Sequence, residues 1–184
     1  MMNPSLYTIK AIFILDNDGQ RLVSKYYDTI FDTIKEEKDF EKNLFTKTSK
    51  SEGEIIMIDN LTIVYRSSID LHFYVVGSTS ENEIMLVSVL NCLFDSISLI
   101  LKKNMVEKKY LLDYLDAAFL IINEICDNGI LLETDPAQIV QRIGFKEGAS
   151  GDINAAGITG LLGEQSVMDV VKSAREQLKW SILR

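Results

Sequence analysis

Residues 61–78, LTIVYRSSIDLHFYVVGS, decide the fold of the chain. The stretch holds two runs rich in β-branched and aromatic residues, and the turn residues at 69–70 separate them. A third such run, IIMI at 55–58, comes just before. No helical pattern lies between the three runs, so we predict an antiparallel meander. The predicted strands are 55–58, 61–67 and 71–78.

Two more strands are predicted ahead of the meander, at 7–15 and 21–27. The Asp-Gly pair at 18–19 is typical of a hairpin, because the primed turns that join antiparallel strands need positive φ. A calcium loop is the alternative for this acidic turn. Its register would need Gly at position 21 and Glu at position 27, where the chain has Arg21 and Tyr27. The sequence therefore predicts a hairpin and five strands in all.

A long apolar helix is predicted at 84–101, behind a capping box that begins at Ser80 and ends at Glu83. Thirteen of its 18 residues are apolar, which raises the question of a membrane span. Four of the five polar positions form one narrow face, and an aspartate is costly in lipid. We therefore expect a helix buried in the domain, with this face toward solvent or a hydrogen-bonding partner. The face consists of Ser88, Asn91, Asp95 and Ser98.

Other helices are predicted before and after this one. A charged helix covers 32–45, with Asp32 as its candidate N-cap. A single helix covers 107–126, and a short one opened by Pro136 runs to about residue 143 after an extended piece at 130–133. The apolar contacts expected from the first two are Ile34, Phe40, Leu44 and Phe45, and Leu111, Leu115, Ala118, Ile122 and Ile125.

The C-terminal part of the chain is predicted to be a tether followed by a helix. Six of the ten glycines fall between Gly144 and Gly163. We divide the chain into a domain at 1–147, a flexible loop at 148–163 and a C-terminal helix at 164–184 that belongs to the same domain. Trp180 and Leu183 lie off the apolar side of that helix, so each is either a second contact within the chain or an anchor for a partner.

Composition narrows the class of protein. The 184 residues are 47% hydrophobic and 25% charged, as in a soluble globular domain. The net charge of −8 disfavours nucleic-acid binding and polybasic membrane attachment, since both need clustered Lys and Arg. The N-terminus resembles no secretory signal, and both cysteines, Cys92 and Cys126, fall in apolar patterns. We expect a cytoplasmic protein with two reduced, buried thiols.

Catalytic motifs are not found in the sequence. The single histidine, His72, lies in a strand pattern, and one His with two dispersed Cys makes no zinc set. Phosphate-binding glycine motifs do not occur, and the paired acids Glu36 and Glu37 fit a solvated helix face better than a hydrolase site. We predict that the protein is not an enzyme and uses no cofactor or metal.

Four segments resemble the zeta family of coatomer small chains and, more distantly, the sigma chains of clathrin adaptors and other longin domains. They are PSLYTIKAIFILDNDGQRLVSKYYD (4–28), LTIVYRSSIDLHFYVVGSTSENEIMLVSVLNCLFDSI (61–97), ILLETDP (130–136) and SAREQLKWSILR (173–184). The C-terminal segment favours zeta over sigma. The loop from Gly144 to Gly163 departs from the family pattern.

The resemblance implies an α+β, longin-like fold, with a five-stranded antiparallel sheet between helices and further C-terminal helices. It also implies a heterodimer with the gamma subunit of coatomer, contact with other coat subunits, and recruitment to Golgi membranes by an Arf-type GTPase for retrograde transport. The alternative is a sigma-type chain that reads acidic dileucine signals. Such a site needs a basic neighbour, and the candidates Arg66, Lys102 and Lys103 match no motif of that kind.

Overall fold

The structure is a computed structural model that describes residues 8–27, 30–49, 54–102 and 106–144. All the elements named below fall in the first compact unit of the chain, Met1–Ile143. The second unit, Gly144–Arg184, lies outside the described residues apart from Gly144 itself. The tether, the last helix and the domain boundary at residue 147 therefore stay predictions.

A five-stranded antiparallel sheet forms the centre of the fold, as predicted. The meander and the first hairpin join through β1 and β5, which gives the order β2-β1-β5-β4-β3 and leaves β2 and β3 at the edges. Residues of β5 alternate between the faces, so Phe73 and Tyr74 point to opposite layers of the core. The strands are β1 (Ile9–Asp16), β2 (Arg21–Tyr26), β3 (Ile55–Ile58), β4 (Leu61–Ser68) and β5 (Leu71–Ser78).

The two hairpin turns are of different types. Asp59 and Asn60 both have positive φ, 49° and 63°, so the β3–β4 turn is the primed, two-residue type. In the β1–β2 turn only Gly19 has positive φ. Its N–H donates to the Asp16 carbonyl at 3.0 Å, and the pairing shifts register between Ile14 and Leu15. The prediction of a primed turn here was wrong, because a type I turn with a glycine bulge closes the same hairpin.

Helix α1 (Ile34–Thr48) covers one face of the sheet. Leu44 is fully buried in the cluster that contains Phe13 and Tyr74. The N-cap is Thr33, not the predicted Asp32, because the Thr33 hydroxyl accepts from the Glu36 N–H at 3.3 Å. Ile34, predicted to pack inward, is 67% exposed since it lies at the first turn, beyond the sheet contacts.

Helix α2 (Glu83–Leu101) lies on the opposite face of the sheet. There the rings of Phe94 and Phe73 pack edge to face, with their centroids 5.4 Å apart. Its N-cap is Asn82, whose side chain accepts from the Ile84 N–H at 2.9 Å. The predicted cap, Ser80, belongs instead to the turn after β5, where its N–H donates to Ser78. Asparagine and serine are equally good N-caps, and Asn82 is the one that lies directly before the first turn of α2.

The polar face of α2 lies at the surface, as expected. Asn91 and Asp95 are exposed, whereas Ser88 and Ser98 are half-buried and donate to backbone carbonyls one turn earlier. In length and composition α2 could cross a membrane, but 56% of the apolar segment is buried inside the domain. That burial matches a core helix.

The predicted helix 107–126 is broken in two, α3 (Lys108–Asp113) and α4 (Leu115–Ile125). Tyr114 has φ −129° and ψ 33°, outside the helical region. Leu111 before the break and Ala118 after it are both buried, and both segments contact α2. The break therefore lets two short helices each turn an apolar side toward α2, and tertiary packing outweighs the local helical pattern.

A small hairpin and a final helix complete the described fold. The predicted extended piece pairs as β7 (Ile130–Leu131) with β6 (Cys126–Asp127) across a turn at Asn128 and Gly129. Helix α5 (Pro136–Arg142) begins as predicted, with Asp135 accepting from the Ala137 N–H at 2.9 Å. It packs against α2 and α4.

Candidate interaction surfaces

The cysteines do not offer reactive chemistry. Cys92 and Cys126 are free and buried, as predicted. Burial raises the pKa of Cys92 to about 11, and burial also raises the pKa of Cys126. Both thiols are therefore protonated at neutral pH. Within the described ranges, no group of three or more His, Cys, Asp or Glu side chains could hold a metal ion.

His72 holds two turns together. Its Nε2 lies 3.1 Å from Asn17 Oδ1, and its Nδ1 lies 2.8 Å from Ser67 Oγ. Because the Asn17 oxygen only accepts, Nε2 carries the proton and Nδ1 accepts from the Ser67 hydroxyl. Burial lowers the pKa of His72, against the opposing charge of Asp16, so the ring is neutral at pH 7. Its role is structural, linking the β1–β2 turn to the β4–β5 hairpin.

An open cleft of about 550 Å³ lies between the β1–β2 turn and α1. Three charged residues beside the cleft form ion pairs with one another. The Arg21 guanidinium lies 2.8 Å from the Glu41 carboxylate and 3.0 Å from the Glu37 carboxylate. The Tyr26 hydroxyl donates to Glu41 at 2.9 Å. Because Glu41 is buried with these partners, this ion-paired cluster holds α1 against β2.

The outer side of α4 is the first exposed apolar surface. Phe119 is 43% exposed and Leu120 is 47% exposed. Asp116 and Asn123 share this side at helical spacing and are exposed too. We call these four residues the α4 outer face. Two large apolar side chains at the centre of a solvated helix face are typical of a protein contact.

The outer edge of β3 is the second exposed apolar surface. Ile55 and Met57 are 46% and 59% exposed, although both belong to a strand of the central sheet. Other exposed large apolar residues are dispersed over the domain: Ile34, Ile69, Ile84, Leu99, Leu112 and Leu132.

The predicted partner-binding residues, Trp180 and Leu183, lie outside the described residues. Of the basic candidates beside a dileucine site, Lys103 also lies outside the described residues. The Arg66 guanidinium lies 3.8 Å from the centroid of the Phe94 ring, and Lys102 ends α2 in the left-handed region. Sequence reasoning missed the α4 outer face. The available signal was helical spacing, since Phe119 and Leu120 fall off the predicted core side of 107–126.

Comparisons with known proteins agree with this architecture. Residues 8–149 match the clathrin adaptor complex small chain family. Among solved structures, the chain is similar to one in the "Homology model of the full-length AP-3 complex in a stretched open conformation", with a TM-score of 0.59. That match covers 73% of this chain and 90% of the other at 15% sequence identity, so it concerns the fold alone.

The sequence is also similar to curated proteins over nearly its whole length. Coatomer subunit zeta-2 of Mus musculus is 56% identical over 98% of this chain and 83% of its own. Coatomer subunit zeta-1 of Homo sapiens is 52% identical over 100% and 98%, and that of Arabidopsis thaliana is 41% identical over 96% and 97%. The longin-like sheet and its helices thus define an α+β small chain of an adaptor-type coat complex. At these identities, the chain belongs to the coatomer zeta subunits.

Proposed function

We propose that this coat subunit is a non-catalytic small chain that binds the gamma subunit of coatomer as a heterodimer. Through that partner it joins the other coat subunits on the cytosolic side of Golgi membranes, where an Arf-type GTPase recruits the coat. Its work is then retrograde transport from the Golgi to the endoplasmic reticulum and transport within the Golgi. Membership of the zeta subunits supports the coat role.

The observation that carries gamma binding is the α4 outer face. A free domain gains nothing by leaving Phe119 and Leu120 in water, whereas a partner that covers them gains the transfer free energy of both side chains. Aromatic side chains are enriched among the residues that dominate interfaces. Asp116 and Asn123 supply a polar rim on the same side.

The test is co-purification of tagged gamma trunk with the full-length chain. Changing Phe119 and Leu120 together to Asp should reduce recovered complex by about tenfold or more, because two apolar contacts become charges that must be desolvated. The matched control is Ile34→Asp, a similar change at an exposed apolar residue on α1.

The control should bind gamma at the wild-type level. Complex formation by the double variant at that level would remove the α4 outer face from the interface. Absence of any complex with the wild-type chain would reject gamma binding itself. Circular dichroism must show the same folded spectrum for all chains compared.

The sigma-type alternative, a chain that reads acidic dileucine signals, receives less support. The curated relatives described above are zeta subunits, and Arg66 is already engaged by Phe94 and Asn91. We expect no binding of a dileucine peptide to the purified gamma–zeta pair. Saturable binding in a titration would restore the alternative.

A further inference from the structure

The backbone along the outer edge of β3 has hydrogen-bonding groups that no described strand uses. The Glu54 carbonyl accepts from the Tyr65 N–H at 2.9 Å, which fixes the register of β3 on β4. Because bonded pairs alternate in an antiparallel ladder, Ile56 faces β4 and the N–H and C=O groups of Ile55 and Met57 point away from it. Within the described part of the chain, β4 is the sole neighbour of β3.

The same two residues expose apolar side chains. Ile55 and Met57 lie on the α2 side of the sheet, opposite Val64 and Thr62 of β4, while Ile56 packs against the core cluster on the α1 side. Backbone groups without a partner among the described residues therefore coincide with exposed apolar side chains. A helix or a small molecule would cover the side chains and leave the backbone groups unpaired, whereas an extended peptide satisfies both.

The opposite edge of the sheet shows how an unused edge is protected. Strand β2 is tied to neighbouring helices, since Arg21 pairs with Glu37 and Glu41 of α1 and Lys25 donates to Asn123 of α4. The register shift beside Leu15 also distorts its pairing, and a bulge of this kind disfavours the addition of a further strand. Strand β3 consists of Ile, Ile, Met and Ile, pairs with β4 in regular register, and has no such protection. In the part of the chain that the structure describes, the β2 edge is therefore protected and the β3 edge can accept a further strand.

We propose that β3 binds an extended segment of another protein, apolar at alternate positions and basic at its ends. The charges flanking β3 select this occupant, since Glu54 and Asp59 at its two ends are both exposed acids. A second copy of the chain fits less well. Pairing Ile55 of each copy with Met57 of the other would place Glu54 within one residue of the other copy's Asp59, where like charges repel.

The probe is a synthetic peptide, Arg-Val-Thr-Val-Thr-Val-Arg, titrated into the isotope-labelled full-length chain. Amide resonances of Ile55 and Met57 should shift, and their hydrogen exchange should slow, because both N–H groups gain acceptors. Met57→Lys and Ile55→Lys should each weaken binding by about tenfold, the effect of losing one buried anchor. Ile69→Lys, a matched change at an exposed apolar residue in the β4–β5 turn, should bind as the wild type does. A peptide with glutamate at both ends should bind more weakly.

Three results would overturn the proposal. The first is the absence of amide shifts at β3 with millimolar peptide. The second is wild-type affinity in both lysine variants, with circular dichroism showing that they are folded. The third is self-association in sedimentation that Met57→Lys abolishes, which would make a second copy the occupant. The gamma subunit is not used, so the outcome does not depend on gamma binding.

Discussion

Asp16 closes the first hairpin with a buried carboxylate. It accepts from the backbone N–H groups of Asp18 and Gln20 at 2.9 and 2.8 Å, and Lys108 Nζ lies 2.8 Å from its other oxygen. Burial alone would raise the pKa of Asp16, but the hydrogen bonds from Lys108, Gln20 and Asp18 outweigh it and hold the pKa below its usual value. One side chain thus ties β1, its turn and the start of α3 together.

The lowered pKa predicts a loss of stability in acid. A carboxylate whose pKa is depressed by folding stabilises the native state above its unfolded pKa, about 3.9, and that contribution disappears as the pH falls through the folded pKa. Urea unfolding at neutral pH and below about pH 4 should therefore show a smaller acid-induced loss for Asp16→Asn than for the wild type. Equal losses in the two proteins would mean that Asp16 does not contribute to the pH dependence.

Helix α2 has one buried side and one side exposed to solvent. Leu93 is completely buried, and Asp95 is exposed two positions later. We expect Leu93→Ala to lower the free energy of unfolding by about 2–5 kcal/mol, because it leaves a cavity in the packed layer. Asp95→Leu should change it by less than about 1 kcal/mol. Thermal melts with the opposite ranking would show that the sides of α2 have been assigned wrongly.

Among the elements, the strands were predicted correctly because their residue types and flanking turns are local features of the sequence. The runs 55–58 and 71–78 are strands at those bounds, because runs of β-branched and aromatic residues bounded by turn residues leave few alternatives. The break at Tyr114 could not be predicted, since residues 111–119, LLDYLDAAF, contain no Gly or Pro. It depends on how α3 and α4 both pack on α2, which only the assembled domain determines.

Of the two candidate surfaces, one could be predicted from local sequence and the other could not. Phe119 could have been placed on an exposed side from its spacing with Asp116, because helical periodicity is a local property. The open edge at Ile55 and Met57 depends on the order of strands in the sheet. That order is set by long-range pairing of β1 with β5, which no short stretch of sequence specifies.

At the scale of the whole molecule, Trp180 stays a predicted partner anchor. Trp180→Ala should leave the circular dichroism spectrum unchanged and weaken assembly with gamma by about 2 kcal/mol, the range for an aromatic anchor. Trp180→Phe, which keeps an aromatic ring, is the matched control and should lose less. A blue-shifted, quencher-protected fluorescence signal in the free chain would contradict the prediction, since Trp180 is the single tryptophan.

During synthesis, α2 leaves the ribosome after every strand of the central sheet, because β5 ends at Ser78 and α2 begins at Glu83. By length and composition alone, this segment is apolar enough to cross a membrane. The sheet face that covers α2 has already been translated, whereas α4 and α5, which also pack against it, follow later in the chain. The order of elements thus lets α2 fold onto the sheet as it emerges, and the later helices α4 and α5 complete its burial within the same domain.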